Sequence, residues 1–203
     1  TGTATCGAQG DFTLLRGMIS GGHPTPVFSI STFEDCWNLS AKAIETAVKL
    51  RTPVVLLTSK EEAMTQKSFD LSVLPEIKPV IRKEYCSDEP YKPYKPVDMV
   101  PEFLSINQSK HQVRVTASTH NQAGILMNAD AESMANTRRL EEKMYAKLPE
   151  YTVYKYHEVV GAKNLVVSFG VSAAASLDAV SELNAKGIKT SFLNPKTLFP
   201  APP

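Results

Sequence analysis

Short apolar runs alternate with amphipathic stretches at both ends of the chain, and a proline-rich middle separates them. Val27–Ile30, apolar apart from Ser29, is a short strand candidate. Ser31 then stands three residues before Glu34, the spacing of a capping box at a helix start. From Phe33 to Leu50, Trp37, Ala41, Ile44 and Val48 recur at helical spacing, which predicts a helix that buries this face. Val54–Thr58 (VVLLT) is a continuous apolar run, as in a strand covered on both faces. Strand, helix and strand with short links predict a βαβ unit with parallel strands.

The centre is less regular. Glu61 to Asp70 fits a short helix or a loop. Residues 75–101 carry Pro75, Pro79, Pro90, Pro93, Pro96 and Pro101. Proline at this density blocks helix interiors and central strands, so an extended connector over a surface is expected. Ala131–Leu148 reads as a solvated helix leaning on a neighbour, with Glu141, Glu142, Lys143 and Lys147 along one side. The βαβ pattern then returns. Asn164–Ser168 is a strand, Phe169-Gly170 a turn, and Ser172 a candidate cap. The helix it opens turns Ala173, Leu177, Val180 and Leu183 inward and runs to about Lys186. Gly187 sits where a left-handed cap belongs, and Ile188–Leu193 is the next strand. A second α/β region thus begins near residue 160, and one helix cannot cover both faces of its sheet.

Composition narrows the function classes. The 203 residues carry a formal net charge of +1, with 42% hydrophobic and 21% charged residues. That balance fits a folded soluble protein and gives no electrostatic reason to expect nucleic acid or an anionic membrane. No apolar run approaches the ~18 residues of a membrane span. Cys6, Cys36 and Cys86 form no CxxC pair. This argues against zinc, a disulfide framework or an iron–sulfur cluster bound by this chain, and for a reducing, cytoplasmic setting. A first residue Thr1 and the ending Pro200-Ala-Pro-Pro read as a piece of something longer.

The richest candidate chemistry is at the start. Thr1–Phe12 crowds glycine and small hydroxyl residues together, which suits a polar ligand such as a carboxylate; an ordinary terminal loop has the same composition. The turn Phe169–Ser172 could hold an anion, although almost every α/β turn looks like this and capping alone explains it. His23 could meet a carboxylate or move a proton, or be a plain loop histidine. His120 fits a structural hydrogen bond in a turn. Tyr91–Lys95 (YKPYK) suggests a packed linker more than a nucleic-acid or proline-reading contact, because Asp88, Glu89 and Asp98 cancel its charge. There is no Gly-x-Gly-x-x-Gly, no phosphate loop and no Gly-x-Ser-x-Gly elbow. Residue chemistry alone stops at a two-domain α/β protein.

Resemblance extends that reading. Thr1-Gly2-Thr3-Ala4-Thr5-Cys6-Gly7-Ala8-Gln9-Gly10-Asp11 resembles the Ser-Thr-Gly-x-x-Thr…Gly-Asp motif in α subunits of 2-oxoacid:ferredoxin oxidoreductases. Gly21-Gly22-His23, Glu34-Asp35-Cys36, Arg51-Thr52-Pro53-Val54 and Thr58-Ser59-Lys60-Glu61 follow the family's order. So do Thr116–Asn121 (TASTHN), Val167-Ser168-Phe169-Gly170, Gly187-Ile188-Lys189 and Pro195–Pro200 (PKTLFP). The resemblance implies an enzyme that uses thiamine diphosphate to decarboxylate a 2-oxoacid oxidatively. Such an enzyme passes electrons through iron–sulfur clusters to ferredoxin and forms an acyl-CoA.

The same resemblance implies an α/β fold in three parts. Residues 1–80 would be the C-terminal part of a pyrimidine-binding-type parallel-sheet domain. Residues 81–159 would be a proline-rich connector and polar helix, and 160–203 the start of a transketolase-C-terminal-like domain. Thr5 falls on the family's threonine contact to the 2-oxoacid. Ala4 departs from the proline often found there, and His23 matches only in part and receives no role. The family's substrate-pairing arginine and catalytic glutamate fall upstream of Thr1. The cofactor diphosphate, Mg2+ and an iron–sulfur cluster are expected on a partner β subunit of a hetero-oligomer. The Ser-Thr-Gly type of motif leans toward 2-oxoglutarate or a broad-range enzyme over a strict pyruvate one. The alternative is a non-catalytic assembly module that kept the fold.

Overall fold

The computed structural model describes residues 10–105, 107–108, 110–116 and 118–203. The fold is mixed α/β, with parallel strand pairs in two sheets. Helix α1 (Gly10–Leu15) precedes β1 (Val27–Ser29), α2 (Phe33–Leu50), β2 (Val55–Leu57) and α3 (Lys60–Met64). A 3-10 turn at Leu71–Val73 and a small hairpin, β3 (Pro96–Val97) and β4 (Val100–Pro101), lie in the connector. Then come α4 (Ala131–Ala146), α5 (Leu148–Tyr151), β5 (Tyr154–His157), β6 (Asn164–Val167), α6 (Ser172–Ala185), β7 (Thr190–Pro195) and β8 (Thr197–Phe199).

The first sheet has the order β2-β1-β8. β1 and β2 are parallel, with Phe28 opposite Leu56, as the βαβ pattern requires. The strands alternate their side chains between two cores. Phe28 packs with Leu39, Leu50, Met144, Leu148 and Tyr151 on one face. Val27 packs with Leu15 and Leu198 on the other, where Phe12, Phe169 and Phe199 close the edge. The second sheet has the order β5-β7-β6, with β6 and β7 parallel and β5 antiparallel. Helix α6 covers one of its faces through Ala173, Leu177 and Val180 against Val166 and Phe192. Gly187 takes φ +82° just past α6, as its position predicts, and Ile188 N–H returns to Leu183 O at 2.9 Å.

Four local expectations are corrected. The capping box of α2 is one residue later: Thr32 is the N-cap, its side chain accepts from Asp35 N, and Asp35 reaches back to the Thr32 N–H. The buried stripe of α2 is Leu39, Thr46 and Leu50, with Ala43 partly buried, rather than the row through Trp37 and Ile44. Trp37 and Ile44 are exposed by 42% and 62%. Two apolar rows compete on this helix, and the one facing Phe28 and Met144 wins. The Trp37 indole instead donates to Pro75 O in the connector at 3.0 Å. Lys143 lies inside, not on the solvated side of α4, and donates to Leu50 O at 2.5 Å. Finally, Ser172 does not cap α6: the N-cap is Val171, which makes no side-chain cap bond.

The connector is organised. Asp98 and Met99 both have positive φ, 49° and 69°, and turn the β3–β4 hairpin. Pro96 pairs with Pro101, so neither proline interrupts a longer ladder. Among the described residues no helix is long and apolar enough to cross a membrane.

Candidate functional site

The two parallel units meet at the carboxyl ends of their strands, where open α/β sheets place ligands. β1 ends at Ser29 and leads through Ser31 into α2; β6 ends at Val167 and leads through Gly170 into α6. Ser31 Oγ accepts from Gly170 N at 3.0 Å and lies 3.4 Å from Asn194 Oδ1, to which it donates. One hydroxyl thus joins the first sheet to both the turn and the second sheet.

Lys196 completes the junction. It is the residue at which the chain leaves β7 in the second sheet and enters β8 in the first. Its carbonyl accepts from Ser29 N at 2.8 Å, and its own N–H donates to Val153 O at 2.9 Å. Its ammonium pairs with Asp35 Oδ2, the oxygen that also accepts from Ser31 N and Thr32 N at 2.9 and 3.0 Å. Burying an ammonium is costly unless it is paired and bonded, and Asp35 supplies that pairing. Asp35 therefore caps a helix and neutralises the junction lysine at once.

The end of β2 adds a second polar group. Ser59 caps α3 by accepting from Glu62 N at 3.1 Å, and Glu62 Oε2 accepts from Ser59 N at 3.0 Å and Thr58 Oγ1 at 3.2 Å. Glu62 Oε1 is buried without a partner. Cys36, in the first turns of α2, is held as a thiol: burial and the carboxylates of Glu62 and Asp35 push its pKa up. That environment opposes nucleophilic chemistry at this sulfur. The edge thus offers a fixed wall of hydroxyl, amide and paired charge that can orient a polar ligand. Among the described residues it holds no activated nucleophile.

Thr5 lies outside the described residues, as does Cys6. The described chain opens at α1, whose Phe12 stacks on Phe169 at 5.4 Å and meets Phe199 at 4.7 Å. His23 precedes β1 at its amino end, away from the carboxyl edge, with its ring 3.3 Å from where a Cβ on Gly21 would stand. His120 sits in the connector, its Nδ1 2.5 Å from Ser118 O and its ring 3.7 Å from that of Tyr94, centroid to centroid. The two histidines are not brought together with the polar edge. Sequence reasoning missed Asp35 and Lys196 as a pair, because nothing local links positions so far apart. Among the described residues no three His, Cys, Asp or Glu side chains gather as a metal site.

Comparison with known proteins adds what geometry leaves open. No family model matches the chain. The ketoisovalerate oxidoreductase subunit VorB of Methanothermobacter thermautotrophicus is 28% identical over 196 residues, 96% of this chain and 48% of that protein. The 2-oxoglutarate synthase subunits KorA of the same organism and of Methanocaldococcus jannaschii are 23% and 22% identical, each across 100% of this chain and 54% of their own length. By sequence, this chain is similar to subunits of 2-oxoacid oxidoreductases. It spans about half the length of these oxidoreductase relatives. The fold agrees: 93% of the chain superposes, with a TM-score of 0.77 and 22% identity, on 34% of a chain of the Magnetococcus marinus 2-oxoglutarate:ferredoxin oxidoreductase, solved with 2-oxoglutarate, coenzyme A and succinyl-CoA bound.

Proposed function

We propose that this chain is part of an α-type subunit of a 2-oxoacid:ferredoxin oxidoreductase, with 2-oxoglutarate as the favoured substrate. The enzyme would convert the 2-oxoacid to an acyl-CoA and pass electrons to ferredoxin. The observation that carries the reading is similarity running across essentially the whole chain to VorB and KorA subunits. The opening motif and the TASTHN segment add residue-level support in the same order. On this reading, residues 1–80 belong to a pyrimidine-binding-type domain and 160–203 open a transketolase-C-terminal-like domain, with the connector between.

Thr5 contacts the 2-oxoacid in this reading, its hydroxyl orienting a carboxylate or keto oxygen without adding charge. The Ser31–Asp35–Lys196 junction would hold the two units in register beside it. Thiamine diphosphate, when bound, supplies the carbanion chemistry. Its diphosphate and Mg2+, and an iron–sulfur cluster, are assigned to a partner β subunit.

The test is made on the native complex isolated through this chain. Coenzyme-A-dependent reduction of a viologen dye is followed with 2-oxoglutarate, 2-oxoisovalerate and pyruvate. Turnover with 2-oxoglutarate above the other two is expected. A complex that contains its partner subunit and turns over none of the three refutes the reading.

A further inference from the structure

The start of α6 is open where α2 and α4 are closed by their own side chains. Thr32 and Asp35 complete a capping box on α2, and Asp130 accepts from Ser133 N at 2.7 Å on α4. Helix α6 has 14 residues, no side-chain cap bond and no acidic residue in its first turn. Ser172, its first residue, is exposed, and its hydroxyl has no hydrogen-bond partner among the described residues. Ala173 N bonds Gly170 O and Gly170 N bonds Ser31 Oγ, both at 3.0 Å, while Val171 N and Ser172 N meet no acceptor among the described residues. Capping therefore does not account for the Phe169–Ser172 turn. The leading N–H groups of a helix carry roughly half a positive charge, and an anion is the ligand they favour.

A row of donors crosses the second sheet beneath this helix end. Val166 and Phe192 face α6, so Ser168 and Asn194, each two residues further along, face it too. Val167 pairs with Leu193, and Ser168 N donates to Leu193 O at 3.1 Å, which sets Ser168 and Asn194 side by side. Lys155 pairs with Asn194 from the other strand, so its stem leaves the sheet on the same face. Asn194 is only 6% exposed. Its Oδ1 accepts from Ser31 Oγ, the hydroxyl that receives Gly170 N, so the amide is held at the turn that opens α6. Its Nδ2 has no partner among the described residues. A donor on so buried a side chain calls for an acceptor.

The carboxylates at this edge are committed elsewhere. Asp35 is neutralised by Lys196. Glu34 serves its own helix start: its N–H and Thr32 hold its carboxyl below the usual carboxylate range, and Lys155 adds the least to that shift. Lys155 itself is exposed and forms no ion pair among the described residues. Donors thus converge from the helix end, from two strand ends and from the neighbouring strand. That spread matches the oxygens of a tetrahedral oxyanion better than the two coplanar oxygens of a carboxylate, which suit a planar fork. We propose that the start of α6 binds a phosphoryl group. The Val171 and Ser172 N–H groups, the Ser168 and Ser172 hydroxyls and Asn194 Nδ2 hold its oxygens, and Lys155 supplies the charge. The group arrives as free phosphate or as the phosphate ester of a larger molecule. The site adjoins the Ser31–Asp35–Lys196 junction, and its assignment does not rest on the 2-oxoacid reading.

The test uses the native complex isolated through this chain, with inorganic phosphate titrated by equilibrium dialysis and by thermal unfolding. Ser172→Glu puts a carboxylate at the helix start, where it supports the helix and repels an anion. The variant should lose about tenfold or more in phosphate affinity at the site, while its Tm without phosphate matches or exceeds the parent's. Lys155→Gln, an exposed change, should lose about threefold. Equal phosphate binding by the parent and Ser172→Glu complexes overturns the proposal. Displacement of phosphate by chloride at similar concentration marks an adventitious ion only and also overturns it, and tighter binding of succinate replaces it with a carboxylate site. Glycerol phosphate separates the two sources: competition at equal affinity supports a site open to phosphate esters, and failure to compete supports one that takes the free ion. Dye reduction in the same samples keeps the two readings apart. Turnover with phosphate binding untouched by Ser172→Glu removes the phosphoryl site alone, and phosphate binding without turnover removes the enzyme reading alone.

Discussion

Lys196 and Asp35 are 161 residues apart in sequence, yet they form an ion pair with 6% and 14% of their side chains exposed. The pair joins the start of α2 to the point where the chain changes sheets. Removing one partner of such a pair leaves an uncompensated charge inside. Lys196→Met should therefore cost about 3 kcal/mol of stability in urea titration. Adding Asp35→Asn to it should restore part of that loss, while Asp35→Asn alone also weakens the α2 cap. A double-mutant cycle with no coupling between the two positions would show that the pair does not act as a unit.

Lys143 gives a pH signature. Burial, with Arg139 and Arg51 nearby, pushes its pKa down to about 8. The unfolded chain holds that proton up to about 10.4. Between these values the unfolded state binds more protons, so stability rises with pH across the window, by about 3 kcal/mol in total. The buried Tyr151 phenol, pushed up mainly by burial, works in the opposite sense above about pH 10. Urea midpoints from pH 7 to 10 should climb in the parent chain and flatten in Lys143→Met. Parallel curves for the two proteins would remove Lys143 as the source.

Two glycines of similar backbone conformation should respond differently to alanine. Gly187, at φ +82°, has nothing within 4 Å of a built Cβ, so Gly187→Ala carries only the left-handed cost of about 1 kcal/mol. Gly124→Ala carries that cost and also drives a Cβ into the Arg114 carbonyl. It should lose more than about 2 kcal/mol and speed amide exchange across residues 119–127. Equal losses would mean that the loop yields freely.

Much of the fold was legible in local pattern. Val54–Thr58 showed its strand because a half-buried edge strand that packs on a core at each face is apolar without alternation, and Gly187 marked its helix end because few residues tolerate positive φ. What was misread depended on distant partners. Trp37 and Leu39 sit on different faces of one helix, and only Phe28 and Met144 decide which face is inside. Lys143 reads as a surface residue until Leu50 O is found to accept its hydrogen bond. The Asp35–Lys196 pair has no short-range signature, and Thr5 owes its assignment to resemblance alone.

Thr5→Ala in the complete complex should lower kcat/KM for the 2-oxoacid roughly tenfold, the ~1–1.5 kcal/mol of one hydrogen bond. Steady-state dye reduction over a range of substrate concentrations reads this directly. Kinetics identical to the parent enzyme would refute the proposed contact of Thr5 with the 2-oxoacid.

The antiparallel pairing of β8 with β1 sets a schedule for biosynthesis. Val27 leaves the ribosome well before its partner Phe199. Until then one edge of the β1–β2 pair stays open, with Val27 and Val55 lacking the cover that Leu198 and Phe199 provide. Nascent chains halted before residue 197 should therefore engage chaperones and resist protease poorly, with protection arriving late and in one step.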